Sequence, residues 1–279
     1  MSDRFVVIGA GTMGIGIAYV AAGAGFDVEL VEVDAARAAA APGILDELWD
    51  KAVARAKLST EDAAEHRTRV VLLTDVAQVA GGPQVVVEAV PERLDLKRAV
   101  LAAAEASRPA LLASNTSSIS IGALAERLAA PERFLGLHFF NPVWAMPLLE
   151  IVVGASTADA TIAVARGLAA RLGKDPVVVR DKPGFATSRL GVALGLEAIR
   201  MVEDGVAGPA DIDKAMVLGY RHPMGPLELT DVVGLDVRLD IARTLREAYG
   251  DRFDPPRLLV QMVAEGKLGK KSGEGFYRW

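Results

Sequence analysis

The sequence predicts an α/β protein with an N-terminal, doubly wound parallel sheet and an all-helical C-terminal domain. Three observations carry this. Residues 4–34 read as strand, glycine turn, small-residue helix and second strand, with Gly9, Gly11 and Gly14 spaced G-x-G-x-x-G. Short apolar runs then alternate with helical stretches as far as Arg180, as a parallel sheet covered on both faces requires. After Asp181-Lys182-Pro183-Gly184-Phe185 the pattern is helical only. The first part is therefore of the Rossmann type, and the domains are set at 1–182 and 183–279.

The opening run, Phe5 to Ile8, is a buried strand. In the turn after it, the first glycine permits the tight bend. The second lets backbone approach a pyrophosphate, and the third lets helix pack close to strand. Thr12 and Met13 complete G-A-G-T-M-G at 9–14. The helix N-terminus presents N–H groups and a positive dipole end to the anion. Glu32 ends the second strand, where a carboxylate accepts from the adenosine ribose hydroxyls and repels a 2′-phosphate, so the cofactor reads as NAD rather than NADP. Residues 5–26 carry no charge, which suggests a membrane span. The glycines cluster as a turn, however, and a strand plus a buried helix explains the run better. No basic n-region or cleavage site precedes it, so no signal peptide is expected.

Residues 35–57 read as one long helix whose second half carries Lys51, Arg55 and Lys57. These basic residues form either a solvated face or an edge for a ligand phosphate. A strand at 70–73, a short helix capped by Asp75, and a turn at Gly81-Gly82-Pro83 follow. Next come a strand at 84–90, a helix at 92–106, a strand at 110–113 and the polar loop Ser114-Asn115-Thr116-Ser117-Ser118. Strands at 134–138, 148–153 and 177–180, with a helix near 157–173, complete the first domain. Beyond the boundary, helices are expected at 188–203, 210–218, from Pro226 toward Tyr249, and at 255–266, before a tail at 267–279. Ligands of such sheets bind outside the carboxyl ends of the strands, which places Gly9–Gly14, Glu32, Pro91–Glu92 and the 114–118 loop on one rim.

Composition narrows the function. The 279 residues carry a net charge of −5, which offers no broad basic face for nucleic acid. There is no cysteine, so disulfides, thiolate catalysis and cysteine–zinc sites are excluded. Three histidines without a close pair make a metal site an unpromising reading. A cytoplasmic protein without membrane attachment is expected.

His138 ends a strand on the ligand rim, and Glu150 lies within the next strand. If those strands are neighbours, the carboxylate can fix the imidazole tautomer and stabilise the imidazolium while the ring acts as a base. Oxidation of an alcohol by NAD needs that base for the hydroxyl proton. The other reading of His138 is a core histidine satisfied by backbone. His66, in a charged run, is expected to face solvent, and His222 to serve turn geometry or packing.

The motifs together resemble the 3-hydroxyacyl-CoA dehydrogenases over nearly the whole length. They are G-A-G-T-M-G at 9–14, V-E-A-V-P-E at 87–92, S-N-T-S-S at 114–118 and G-L-H-F-F-N-P at 136–142. P-G-F at 183–185, H-P-M-G-P-L-E-L at 222–229, D-V-V-G-L-D at 231–236 and G-K-K-S-G-E-G-F-Y at 269–277 follow in order. The resemblance implies reversible, NAD-linked oxidation of (S)-3-hydroxyacyl-CoA to 3-oxoacyl-CoA. It also implies a homodimer that pairs through the helical domain.

Position by position, the resemblance implies His138 as general base and Glu150 as its orienting partner. It implies Ser117 as a hydrogen-bond donor to the reacting oxygen, Asn141 on the nicotinamide side, and Glu92 and Lys97 beside the cofactor ribose. Lys271 matches a further cofactor contact, and Lys51 and Lys57 match the CoA-phosphate contacts loosely. Ser117 reads equally as a helix cap, and Lys97 and Lys271 as solvated surface lysines. The sequence departs from the family after P-G-F, where Ser188 replaces a substrate-contacting asparagine; a shorter hydroxyl can still donate, directly or through water. Two other readings stay open: a dehydrogenase of a non-CoA hydroxy acid, such as a sugar acid, on the same fold, and a non-catalytic NAD-binding protein.

Overall fold

The computed structural model describes residues 3–279, which divide into two compact units, 3–181 and 182–279. The first is built on β1 (Arg4–Ile8), β2 (Asp27–Val31), β3 (Val70–Leu73), β4 (Val85–Glu88), β5 (Leu111–Ser114), β6 (Phe134–Phe139), β7 (Leu148–Val153) and β8 (Asp175–Arg180). They form one sheet in the order β3-β2-β1-β4-β5-β6-β7-β8. The strands from β3 to β6 are mutually parallel, β7 runs antiparallel to β6, and β8 is parallel to β7. Chain order reverses between β1 and β4, and that switch point is where an open α/β sheet leaves its ligand crevice.

The helices of this unit are α1 (Thr12–Gly23), α2 (Ala35–Ala54), α3 (Thr60–Thr68), α4 (Leu94–Glu105), α5 (Ile121–Ala125) and α6 (Asp159–Arg171). Phe5, Val7, Ile17, Phe26 and Leu30 are essentially inaccessible and join one core with Leu111, Leu135 and Ile151. The uncharged run 5–26 thus resolves into β1, a turn and α1. Among the described residues no helix is long and apolar enough to cross a membrane.

The region after β2 differs from the expected single helix. α2 ends at Ala54, and Ala56 takes a left-handed φ of 53°, which turns the chain. Lys57 therefore lies beyond the helix, and Ser59 caps α3 by accepting from the Asp62 amide. Only Ala63 of α3 is fully buried, so its apolar periodicity was too sparse to read. His66 is half-buried there instead of facing solvent.

The second unit holds α7 (Thr187–Glu203), α8 (Pro209–Tyr220), α9 (Pro226–Val233), α10 (Leu235–Tyr249) and α11 (Arg257–Ala264). The helix expected to run from Pro226 toward Tyr249 is two, because Gly234 sits at φ 105° between them. Two buried carboxylates tie this unit together. Asp213 accepts from the Leu227 and Glu228 amides, capping α9, and from the Tyr277 hydroxyl. Asp231 accepts from the Phe276 and Tyr277 amides and the Trp279 indole, which fastens the tail. The tail glycines have a physical reason. A Cβ on Gly269 or Gly275 would come within 2.3 Å of Asp231.

Candidate active site

At the switch point, a cleft of about 560 Å³ is lined by Gly9, Gly11, Thr12, Met13 and Glu32. Val76, Pro91 and Leu96 supply apolar walls, and Arg37 and Arg93 add guanidinium groups that sequence reading had not picked out. The three glycines serve different ends. A Cβ on Gly14 would lie 1.7 Å from the Gly9 carbonyl oxygen, and one on Gly9, at φ 104°, would lie 2.9 Å from the Ala89 carbonyl oxygen. A Cβ on Gly11 would meet no other part of the fold within 4 Å. Gly9 and Gly14 hold the turn against the sheet, while Gly11 leaves open space where backbone can approach a phosphate. Gly11 is the N-cap of α1, with no side-chain cap and no acid in the first turn, so the helix end retains its anion-binding character.

Glu32 is buried. Its carboxylate accepts from the Ala10 and Asp34 amides, each at 2.9 Å, and stands 3.4 Å from Arg37 Nε. It is thereby fixed between the glycine turn and the start of α2. These features fit a bound dinucleotide: open space at Gly11, an uncapped helix end and an acid fixed at the end of β2.

Further along the same rim, register decides the chemistry. β6 and β7 pair antiparallel with His138 opposite Glu150, and Nδ1 lies 2.8 Å from the carboxylate. His138 is 6% exposed and Glu150 fully buried, so the pair is held away from bulk solvent. The His138 ring also packs against Phe140, at a centroid separation of 4.4 Å.

The loop after β5 is brought to this pair by its own side chains. Asn115 Oδ1 accepts from the Phe139 amide at 2.9 Å, next to His138. Glu92 accepts from the Thr116 hydroxyl and from the Ser117 and Ser118 amides, gathering the loop around one carboxylate. Burial alone would raise the Glu92 pKa. The Lys97 charge and the Thr116 and Ser118 hydroxyls outweigh it and hold the group below its ordinary value. Ser117 is half-buried and caps no helix; the α5 cap is Ser120, which accepts from the Ala123 amide.

Lys97 differs most from its surface reading. It is 1% exposed, and its ammonium donates to Glu88 at 2.7 Å and to the Val90 carbonyl, and lies 3.3 Å from Glu92. Burial pushes the Glu88 carboxyl upward, while Lys97, Ser114 and the Val90 amide pull against that. The Lys97–Glu88–Glu92 cluster thus braces the end of β4 and the Ser117 loop, and Lys97 is not part of the cleft lining. Its signal was a lysine on the apolar-facing side of α4. Lys174 acts similarly: buried, it donates to the Val143 and Met146 carbonyls and holds the loop bearing Asn141. That loop rests on α1, where a Cβ on Gly16 would lie 2.7 Å from Val143. Asn141 itself is exposed.

Lys51 is exposed and pairs with Glu47 at 2.9 Å, and Lys57 is exposed in the turn after α2. In the second unit, Ser188 lies in the first turn of α7, and Lys271 donates to Asp236 at 2.5 Å.

Comparison with known proteins decides the family. The family model "3-hydroxyacyl-CoA dehydrogenase, NAD binding domain" matches residues 4–182, and "3-hydroxyacyl-CoA dehydrogenase, C-terminal domain" matches residues 184–279. The chain belongs to the 3-hydroxyacyl-CoA dehydrogenase family. It is an NAD-dependent oxidoreductase of that family. A probable 3-hydroxybutyryl-CoA dehydrogenase of Deinococcus radiodurans is 41% identical, over 99% of this chain and 100% of its own. The 3-hydroxyadipyl-CoA dehydrogenase of Escherichia coli is 42% identical over 98% of this chain, which spans 58% of that longer protein. The crystal structure of (S)-3-hydroxybutyryl-CoA dehydrogenase from Ralstonia eutropha matches with a TM-score of 0.94 at 36% identity, over 100% of this chain and 99% of that one.

Proposed function

We propose that this dehydrogenase interconverts short-chain (S)-3-hydroxyacyl-CoA and 3-oxoacyl-CoA with His138 as general base. The observation that carries the reading is the buried His138–Glu150 pair, at the carboxyl end of β6 on the rim that also holds the nucleotide cleft. Bound NAD supplies the hydride acceptor. Glu150 accepts a hydrogen bond from Nδ1–H, which selects the tautomer whose Nε2 carries the lone pair. His138 then removes the substrate hydroxyl proton, and Glu150 stabilises the imidazolium that forms. Ser117, on a loop fixed by Glu92, donates to the substrate oxygen, and Ser188 contacts the substrate in place of the family asparagine. Glu32 accepts from the adenosine ribose. Asn141, Glu92, Lys97 and Lys271 support the cofactor, with Lys97 acting through the carboxylates it binds. Lys51 and Lys57, both exposed, are available to CoA phosphates.

The names of the relatives support a CoA thioester with a short acyl chain. The helical unit is the substrate and dimerisation domain. It exposes Leu190 at 70%, Leu218 at 70% and Tyr220 at 76%, apolar surface suited to a second copy. A cytoplasmic location fits this chemistry.

The test is NADH consumption with acetoacetyl-CoA, beside free acetoacetate. Turnover of the thioester alone is expected, and His138→Ala should lower the rate about 10²–10⁴-fold. Wild-type turnover in that variant removes His138 from the mechanism. Light scattering should give a dimer mass, and a monomer at micromolar concentration refutes the pairing.

A further inference from the structure

The nucleotide cleft carries more positive charge than NAD accounts for. Its charged lining residues are Glu32, Arg37 and Arg93, among walls that are otherwise mostly apolar. The uncapped end of α1 at Gly11 serves the pyrophosphate, and the adenosine of NAD carries no charge. Two guanidiniums are left over. Glu32 does not need Arg37. It is 5% exposed and already accepts from the Ala10 and Asp34 amides. The Arg37 side chain is 55% exposed and stands 3.4 Å away, and an ion pair so open to water contributes little. Asp34, 3.9 Å from Arg37, is engaged in capping α2 through the Arg37 amide. Arg93 is the N-cap residue of α4, exposed and without a side-chain cap hydrogen bond, and among the described residues it forms no ion pair. A guanidinium beside the acid that holds a ribose is placed to meet an anion on that ribose.

We propose that Arg37, with Arg93, forms a latent site for the 2′-phosphate of NADP, which the Glu32 carboxylate holds shut. The preference for NAD then resides in one charge and not in the shape of the cleft. This rests on the Glu32–ribose contact proposed above. A buried carboxylate repels a phosphate beside it strongly, because little water screens the two. With that charge removed, the same place presents a planar guanidinium, whose fork matches phosphate oxygens bidentately.

The experiment measures dissociation constants of NADH and NADPH by fluorescence titration for wild type, Glu32→Gln, Arg37→Met and the double variant. Melting temperatures are recorded with adenosine 2′,5′-bisphosphate and with 5′-AMP, which probe the site without turnover. Wild type is expected to bind NADH more tightly. Glu32→Gln should weaken NADH and tighten NADPH, lowering the ratio of NADPH to NADH dissociation constants about 100-fold or more. The bisphosphate should then raise the melting temperature of that variant more than 5′-AMP does. Adding Arg37→Met should raise the ratio again about 10- to 100-fold, and Arg37→Lys should raise it less. Asp34→Asn keeps the helix cap and should move the ratio far less than Glu32→Gln. A ratio that Arg37→Met leaves unchanged in the Glu32→Gln background overturns the proposal. So does an Asp34→Asn shift equal to that of Glu32→Gln, which would make exclusion a matter of general negative charge. If Glu32→Gln does not fold, Arg37→Met alone decides: it should weaken NADPH more than NADH, and equal effects on the two overturn the proposal. Unchanged NADH affinity in Glu32→Gln refutes the ribose contact itself, whereas weakened NADH without any gain for NADPH refutes only the latent site.

Discussion

Glu150→Gln is the sharpest probe of the proposed catalytic pair, because it keeps the shape of the side chain and removes its charge. Glu150 is fully buried, and its oxygen lies 2.8 Å from His138 Nδ1. A hydrogen bond to a charged partner contributes about 1.5–3 kcal/mol. The imidazolium forms only as the substrate proton leaves, so this loss falls on the transition state more than on the bound ground state. Converted to rate, it amounts to roughly 10- to 150-fold in kcat. A second effect has the same sign. The glutamine amide can donate to Nδ1, which favours the tautomer with hydrogen on Nε2, and that nitrogen then cannot accept the substrate proton. The conversion above is therefore a lower bound. The assay is steady-state oxidation of NADH by acetoacetyl-CoA, with NADH affinity measured separately by fluorescence titration. The expected result is a large fall in kcat at nearly unchanged NADH affinity. Wild-type kcat in the variant would refute the orienting role of Glu150, whatever the identity of the base.

Three further outcomes follow from the same geometry. Gly11→Ala should leave the melting temperature near wild type, since its Cβ would meet no other part of the fold within 4 Å, while weakening NADH binding; Gly14→Ala should instead destabilise the fold, by at least about 1–3 kcal/mol, because its Cβ meets the Gly9 carbonyl. Equal effects at the two positions in both assays would contradict the roles given to them. Glu92, with a folded pKa below the ordinary 4.5, contributes stability fully above the unfolded value and loses it as the pH falls through the folded one. Acid unfolding below pH 4.5 should accordingly be steeper for wild type than for Glu92→Gln, and superimposable curves would refute the anchoring of the 116–118 loop by an ionised carboxylate. Asp231→Ala strands three donors, from Phe276, Tyr277 and Trp279, and should cost at least about 3 kcal/mol by denaturant titration. A loss below about 1 kcal/mol would show that the tail holds by other means.

The sequence by itself determined whatever depends on local pattern. Alternating apolar runs located the sheet, since a strand buried on both faces reads as continuous Val, Ile and Leu. G-x-G-x-x-G between two strands pointed to the NAD-binding domain that the family model matches, because strand, turn and helix end lie within one βαβ unit. The cap at Asp75, which accepts from the Ala77 amide, was legible for the same reason. Local pattern could also mislead: Ala56 and Gly234 break helices through backbone conformation, which hydrophobic periodicity does not report. What only the tertiary structure decided was which distant groups meet. Register between β6 and β7 turned a histidine and a glutamate into a hydrogen-bonded pair. Packing of α4 on the sheet made Lys97 a buried brace. A charged residue reads the same in sequence whether it ends in water or against a carbonyl, and its burial and partners come into being only when separate elements pack together.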